Sequence, residues 1–136
     1  MNMTFLKLIV LALLTLVSVT SRTSNNANIN NAPVIQSQAA EFAKQAAYIS
    51  ALATVCGQNT IVFSNRVLEA IGVLGKDGGD KLFAWMAYRQ MTDASHIAQL
   101  RQHALEISCP RVVSDYRKLP LMQANYQTAV LPKLAE

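Results

Sequence analysis

Charge is scarce in this chain: 15% of its 136 residues are Asp, Glu, Lys or Arg, against 51% hydrophobic residues. A disordered protein needs the opposite balance and is excluded. Two cysteines are too few for a disulfide-dense mini-protein or a four-thiolate zinc site. The length leaves room for one domain, which excludes a multidomain enzyme. Catalytic templates are missing as well. There is no G-x-S-x-G elbow and no H-E-x-x-H pair. The glycine-rich stretch from Gly72 to Gly79 is no phosphate-binding loop, because Ala70 occupies the first glycine position and Asp77 stands where Ser or Thr is required. Asp77 and Asp80 do not make an EF-hand loop. A redox dithiol would need C-x-x-C, which is absent. No cofactor is expected, and the reading leans away from an enzyme.

What is present begins at the N-terminus. Lys7 gives a weakly basic start, and Leu8 to Val17 runs without charge. Val19-Thr20-Ser21 offers small residues for cleavage. This pattern reads as a signal peptide over residues 1–21. The alternative, an uncleaved anchor, is disfavoured because the run is shorter than the ~20 residues of a membrane span. No membrane contact beyond export is expected, and the address is periplasmic or secreted. Residues 22–35, with five asparagines and one bulky apolar residue before Pro33, read as a flexible lead. Residues 36–136 read as a single helical domain.

Cleavage after Ser21 removes Lys7 and leaves eleven basic against eight acidic residues, a net charge of +3. Arg111, Arg117 and Lys118 are the one local basic concentration. That is a solvated face rather than a nucleic-acid footprint, and no nucleic acid is expected.

Within the domain the apolar spacing is helical. Ala39, Phe42, Ala46, Ile49, Ala53 and Cys56 recur at steps of three and four, with Ser37 as N-cap and Gly57 as stop. A second helix, capped by Asn59 or Thr60, carries Phe63, Val67, Ile71 and Leu74 on one side. Asp80 is expected to cap a third, which carries Ile97, Leu100, Ala104 and Ile107 and is closed by Cys109-Pro110. At 1.5 Å per residue an unbroken helix from Asp80 to Ser108 would be about 43 Å long, against about 30 Å for the first. Thr92-Asp93 could break it, but the reading favours a continuous or merely kinked helix. A last segment lines up Val112, Tyr116, Leu119, Met122, Tyr126 and Val130, with Pro120 expected to kink or break it. Strand alternation is absent. The expected fold is all-α, a small up-and-down bundle of about four helices.

Two cysteines in an exported chain most simply pair, so Cys56 and Cys109 are expected to form an intramolecular disulfide rather than remain buried thiols. Both sit at predicted helix C-termini, the first and the third. An up-down-up arrangement brings those ends together.

The stretch Leu82-Phe83-Ala84-Trp85-Met86-Ala87-Tyr88 is apolar all round a helix. Either the other helices cover it, or Leu82, Phe83, Trp85, Met86 and Tyr88 meet another chain. The partner would be another protein or a second copy, a possible homodimer. His96 and His103 are seven apart, a rise of about 10.5 Å, too far for one ion. They read as surface imidazoles, and no metal site is expected.

A signal segment, a helix ending in Cys56, a second cysteine about 50 residues on at Cys109, then a short run to Tyr116 resembles small periplasmic helical families. Periplasmic immunity proteins against secreted cell-wall amidases are among them. The matching stretch is Tyr48 to Tyr116, about half the chain. The resemblance implies an exported inhibitor of a cell-wall enzyme. An alternative is a small exported enzyme or ligand binder whose site is built across helices. Acid-stress periplasmic chaperones are a poorer match, since eight acidic residues give little charge to titrate.

Overall fold

The computed structural model describes residues 37–136; the expected signal segment and the whole of the lead lie outside the described residues. The described residues are helical without a strand, as the spacing predicts. They form six α-helices rather than about four: α1 Gln38–Val55, α2 Ile61–Leu74, α3 Gly78–Thr92, α4 Ala94–Gln102, α5 Cys109–Arg117 and α6 Leu131–Leu134. Two 3₁₀ turns, Ala104–Glu106 and Pro120–Met122, and a π-helical turn, Tyr126–Val130, link the later ones.

Helix α1 is the centre of the domain, and it is built from alanine. Ser37 caps it by accepting from the Ala40 N–H at 3.0 Å. Ala39, Ala40, Ala43, Ala46, Ala47, Ala51 and Ala53 are all buried, with Phe42 and Ser50 between them. Alanine is the best helix former and has no side-chain rotamers to lose, so α1 forms readily and lets neighbouring backbones come close. Its most extensive partner is α3, and α2, α4 and α5 also pack on it. Gly57 ends α1 at φ +79°, a left-handed conformation that favours glycine.

Helix α2 turns its predicted stripe inward: Phe63, Val67 and Ile71 are buried, with Ala70. Thr60 holds the cap position, but its neighbour Asn59 accepts the Ile61 N–H at 3.0 Å. The third helix begins earlier than expected. Asp77, not Asp80, is its cap and accepts from the Asp80 N–H at 2.8 Å. The Asp80 carboxylate in turn accepts from the Lys76 N–H at 3.0 Å, which ties the loop before the cap to the first turn of α3.

The expected continuous helix from Asp80 to Ser108 is not observed. Asp93 is extended, with ψ 164°, between Thr92 and Ala94. Its side chain accepts from the His96 N–H at 2.8 Å and from the Ser95 hydroxyl at 2.9 Å. A residue that caps the next helix must itself leave helical geometry, and that breaks the run. After Gln102 the chain passes through one 3₁₀ turn and becomes extended at Ile107. Cys109 therefore does not close the third helix. It opens α5, with Pro110 in the first turn, where its missing N–H costs nothing.

The disulfide is present nonetheless. Cys56 and Cys109 are bonded, with Cα atoms 5.3 Å apart and a sequence separation of 53. It joins the C-cap of α1 to the start of α5, not two helix C-termini. Its pairing is compatible with an oxidising, exported location.

Past α5, Pro120 ends the regular helix as expected, and the chain wraps along α2. Arg66 holds it there. Its guanidinium donates to the Leu121 carbonyl and, at 3.1 Å, to the Gln123 carbonyl. It also lies 5.2 Å from the centre of the Tyr126 ring. The Tyr126 hydroxyl returns a hydrogen bond to the Arg66 carbonyl at 2.7 Å. Tyr116, Leu119, Leu121 and Tyr126 are buried as a result.

Asp80 in the first turn of α3 and Asp93 at the cap of α4 make an acid-dependent prediction. The Ser37 hydroxyl and the Lys76 N–H hold the Asp80 carboxyl below its usual 3.8, and the His96 N–H and the Ser95 hydroxyl do the same for Asp93. A carboxyl depressed in the folded state contributes stability above its unfolded value, lost as pH falls through the folded value. Loss of the Asp80 contacts before α3 and of α4 helicity is therefore expected only below about pH 4. Circular dichroism through an acid titration checks it, and Asp93→Asn should flatten the part that belongs to α4.

Candidate interaction surface

Helix α3 faces the wrong way for a simple amphipathic element. Its buried side consists of Ala84 and Tyr88. Its outer side carries Leu82, Phe83 and Met86, which are 59%, 55% and 61% exposed. The other helices therefore do not cover the apolar stretch, and the covered alternative fails for these three residues. The cause lies in α1. Its alanine surface leaves room for the methyl group of Ala84 and one aromatic ring, so the bulkier neighbours on α3 are turned out.

Trp85 and Tyr88 do not share that face. Trp85 is half-buried, stacked on Tyr88 with ring centres 5.5 Å apart, and the Arg89 guanidinium lies 5.8 Å from its ring centre. Tyr88 is buried. Its hydroxyl donates to Ser50 Oγ at 3.0 Å and lies 2.8 Å from Ser64 Oγ. One phenol thus ties α3 to α1 and α2, and this leaves nothing of it for another chain. Of the five residues read as an interface, Leu82, Phe83 and Met86 stand together outside, Trp85 lies at their edge, and Tyr88 belongs to the core.

Removing the hydroxyl should be costly. Tyr88→Phe leaves the buried Ser50 without its donor, and loss of a partner to a buried polar group costs about 1–3 kcal/mol. Urea unfolding is expected to show a lower midpoint with an unchanged slope.

The sequence reading missed a second exposed apolar set. Ile61, Val62, Leu68 and Val73 lie on the outer side of α2, and Leu105 on the Ala104–Glu106 turn is wholly exposed. On α2 the signal was available, since these residues fall off the Phe63–Val67–Ile71 stripe. Leu105 gave none, because it depends on the helix ending at Gln102.

Polar chemistry is thin elsewhere. An open cleft beside the π-helical turn is lined by Arg66, Glu69, Asn125, Gln127 and Thr128. It opens onto the surface. Tyr116 packs edge-on against Phe63, ring centres 5.4 Å apart, and burial pushes its hydroxyl up to about 12. His96 is half-buried on α4, and His103 is exposed just past its end. Among the described residues no group of three His, Cys, Asp or Glu side chains is placed to hold a metal ion. None of the described helices is long and apolar enough to cross a membrane. No protein-family model, curated protein or solved structure matches the chain.

Proposed function

We propose that this is an exported, non-enzymatic helical protein that works by protein–protein contact through the outer face of α3. One observation carries the reading. The domain buries its alanines and exposes Leu82, Phe83 and Met86 on a single helix. Scattered apolar residues are ordinary on a surface, but three large ones on two adjacent turns form a patch of the kind that marks a binding site. The Cys56–Cys109 bond and the uncharged run Leu8 to Val17 support export. An immunity-type inhibitor of a secreted cell-wall enzyme is one form such a protein could take, and the same face would serve it.

Methionine footprinting tests the reading directly. Met86 is exposed, so dilute peroxide should oxidise it readily in dilute purified protein. In the compartment where the protein resides, a partner on α3 should slow that reaction several-fold. Equal rates in the two settings would mean the face is uncovered where it works, and the proposal would fail.

A further inference from the structure

The outer face of α3 is complementary to itself, and we infer that its occupant is a second copy of this chain, docked antiparallel. The inference rests on the interaction reading above and commits it to one partner. Gly79, Phe83, Met86 and Gln90 are spaced four, three and four apart, so they form one line along the helix. All four are exposed. None is charged, so a second copy meets no like charge along the seam.

A 4-3-4 spacing reads the same in both directions. Turning a second α3 end for end about a twofold axis sets Phe83 against the partner's Met86 and Gly79 against the partner's Gln90. The first pair is an aromatic ring against a thioether, a favourable contact. The second fits a long side chain over a position with none. A parallel pair would instead set Gly79 on Gly79, leaving a void, and would align the two helix dipoles. Arg89 flanks the seam, but the antiparallel register separates the two Arg89 residues by about 13 Å along the axis, beyond a physiological Debye length. This is an isologous contact, which closes at two copies rather than growing into a filament. The outer face of α2 has the same spacing in Ile61, Asn65, Leu68 and Gly72. There, however, the antiparallel register sets polar Asn65 on apolar Leu68, so α3 is the better seam.

The area sets the strength. Leu82, Phe83 and Met86 offer on the order of 300–400 Å² per copy, below the roughly 800 Å² per partner of a standard interface. The dimer is therefore weak and reversible, forming at tens of micromolar or above by order of magnitude.

The test uses the protein as its cell leaves it, with the disulfide oxidised. Sedimentation across a concentration series should show monomer giving way to dimer, and Met86 oxidation should slow several-fold over the same range. Phe83→Asp should stay monomeric at every concentration with an unchanged melting temperature. Met86→Lys serves as a second variant if the first loses its fold. Mixing Phe83→Cys with Met86→Cys protein should give cross-linked dimers several-fold faster than either variant alone. A monomer at all concentrations, a dimer indifferent to Phe83→Asp, or equal cross-linking in the three samples would overturn the inference. If the protein is a monomer but Met86 is protected in its own compartment, the second copy is wrong and a different protein covers the face. If Met86 is unprotected there as well, both readings fall.

Discussion

Opening the Cys56–Cys109 bond is expected to destabilise the domain by about 2–4 kcal/mol and to lower its melting temperature by more than any surface substitution. Its cysteines stand 53 residues apart, and closing a loop of that size is worth about 4 kcal/mol in the chain-entropy model. Small domains hold about 5–15 kcal/mol in all. The bond also has a local role. It pins the start of α5, which has only nine residues and no side-chain cap bond at Ser108. Helices this short are marginal without tertiary support. Reduction should therefore act first on α5 and on the Phe63–Tyr116 contact that follows from it. Thermal melts of oxidised and reduced protein measure the total effect, and Cys56→Ser/Cys109→Ser separates it from the reductant. Equal melting temperatures would show that helix packing alone holds this end of the domain.

Ala84→Leu should be worse tolerated than any change to the bulky residues beside it. Ala84 has no exposed surface, and α3 makes its main contact with the alanine helix α1. Three added carbon atoms have no space unless the two helices separate. Overpacking of this kind costs about 1–3 kcal/mol or more, and here it also pulls the Tyr88 hydroxyl away from Ser50. Phe83→Ala, one position earlier, removes a much larger side chain and should change stability by less than about 0.5 kcal/mol, because Phe83 is exposed in the single copy. Denaturant midpoints of the two variants at low protein concentration give the comparison. The usual ranking of core and surface is inverted here, with alanine critical and phenylalanine dispensable to the fold.

The helical class, the cap at Ser37, the stop at Gly57 and the pairing of Cys56 with Cys109 were all legible as residue patterns. Each depends on neighbours in sequence or, for the disulfide, on counting. The bundle topology expected from the disulfide does not hold, because the third helix starts at Gly78 and ends at Thr92, well before Cys109. Asp77 and Asp80 offer equivalent caps three residues apart, and only the backbone decides between them. Asp93 is harder still: an aspartate inside an apolar period reads as a solvent-facing residue unless its bonds to Ser95 and His96 are known. The apolar stretch from Leu82 to Tyr88 was visible, but not which side of it faced in. That choice belongs to α1, since a leucine-rich first helix would have demanded a different inner surface on α3.

Arg66 closes the domain without an acidic partner. Its bonds run to the carbonyls of Leu121 and Gln123, and its charge lies against a neutral ring. The last part of the chain is thus latched by a cation held by two carbonyls and a ring rather than by an ion pair. Added salt, which screens ion pairs between exposed side chains, has little to act on at this latch. The segment from Leu121 to Tyr126 should therefore stay docked on α2 across a wide range of ionic strength.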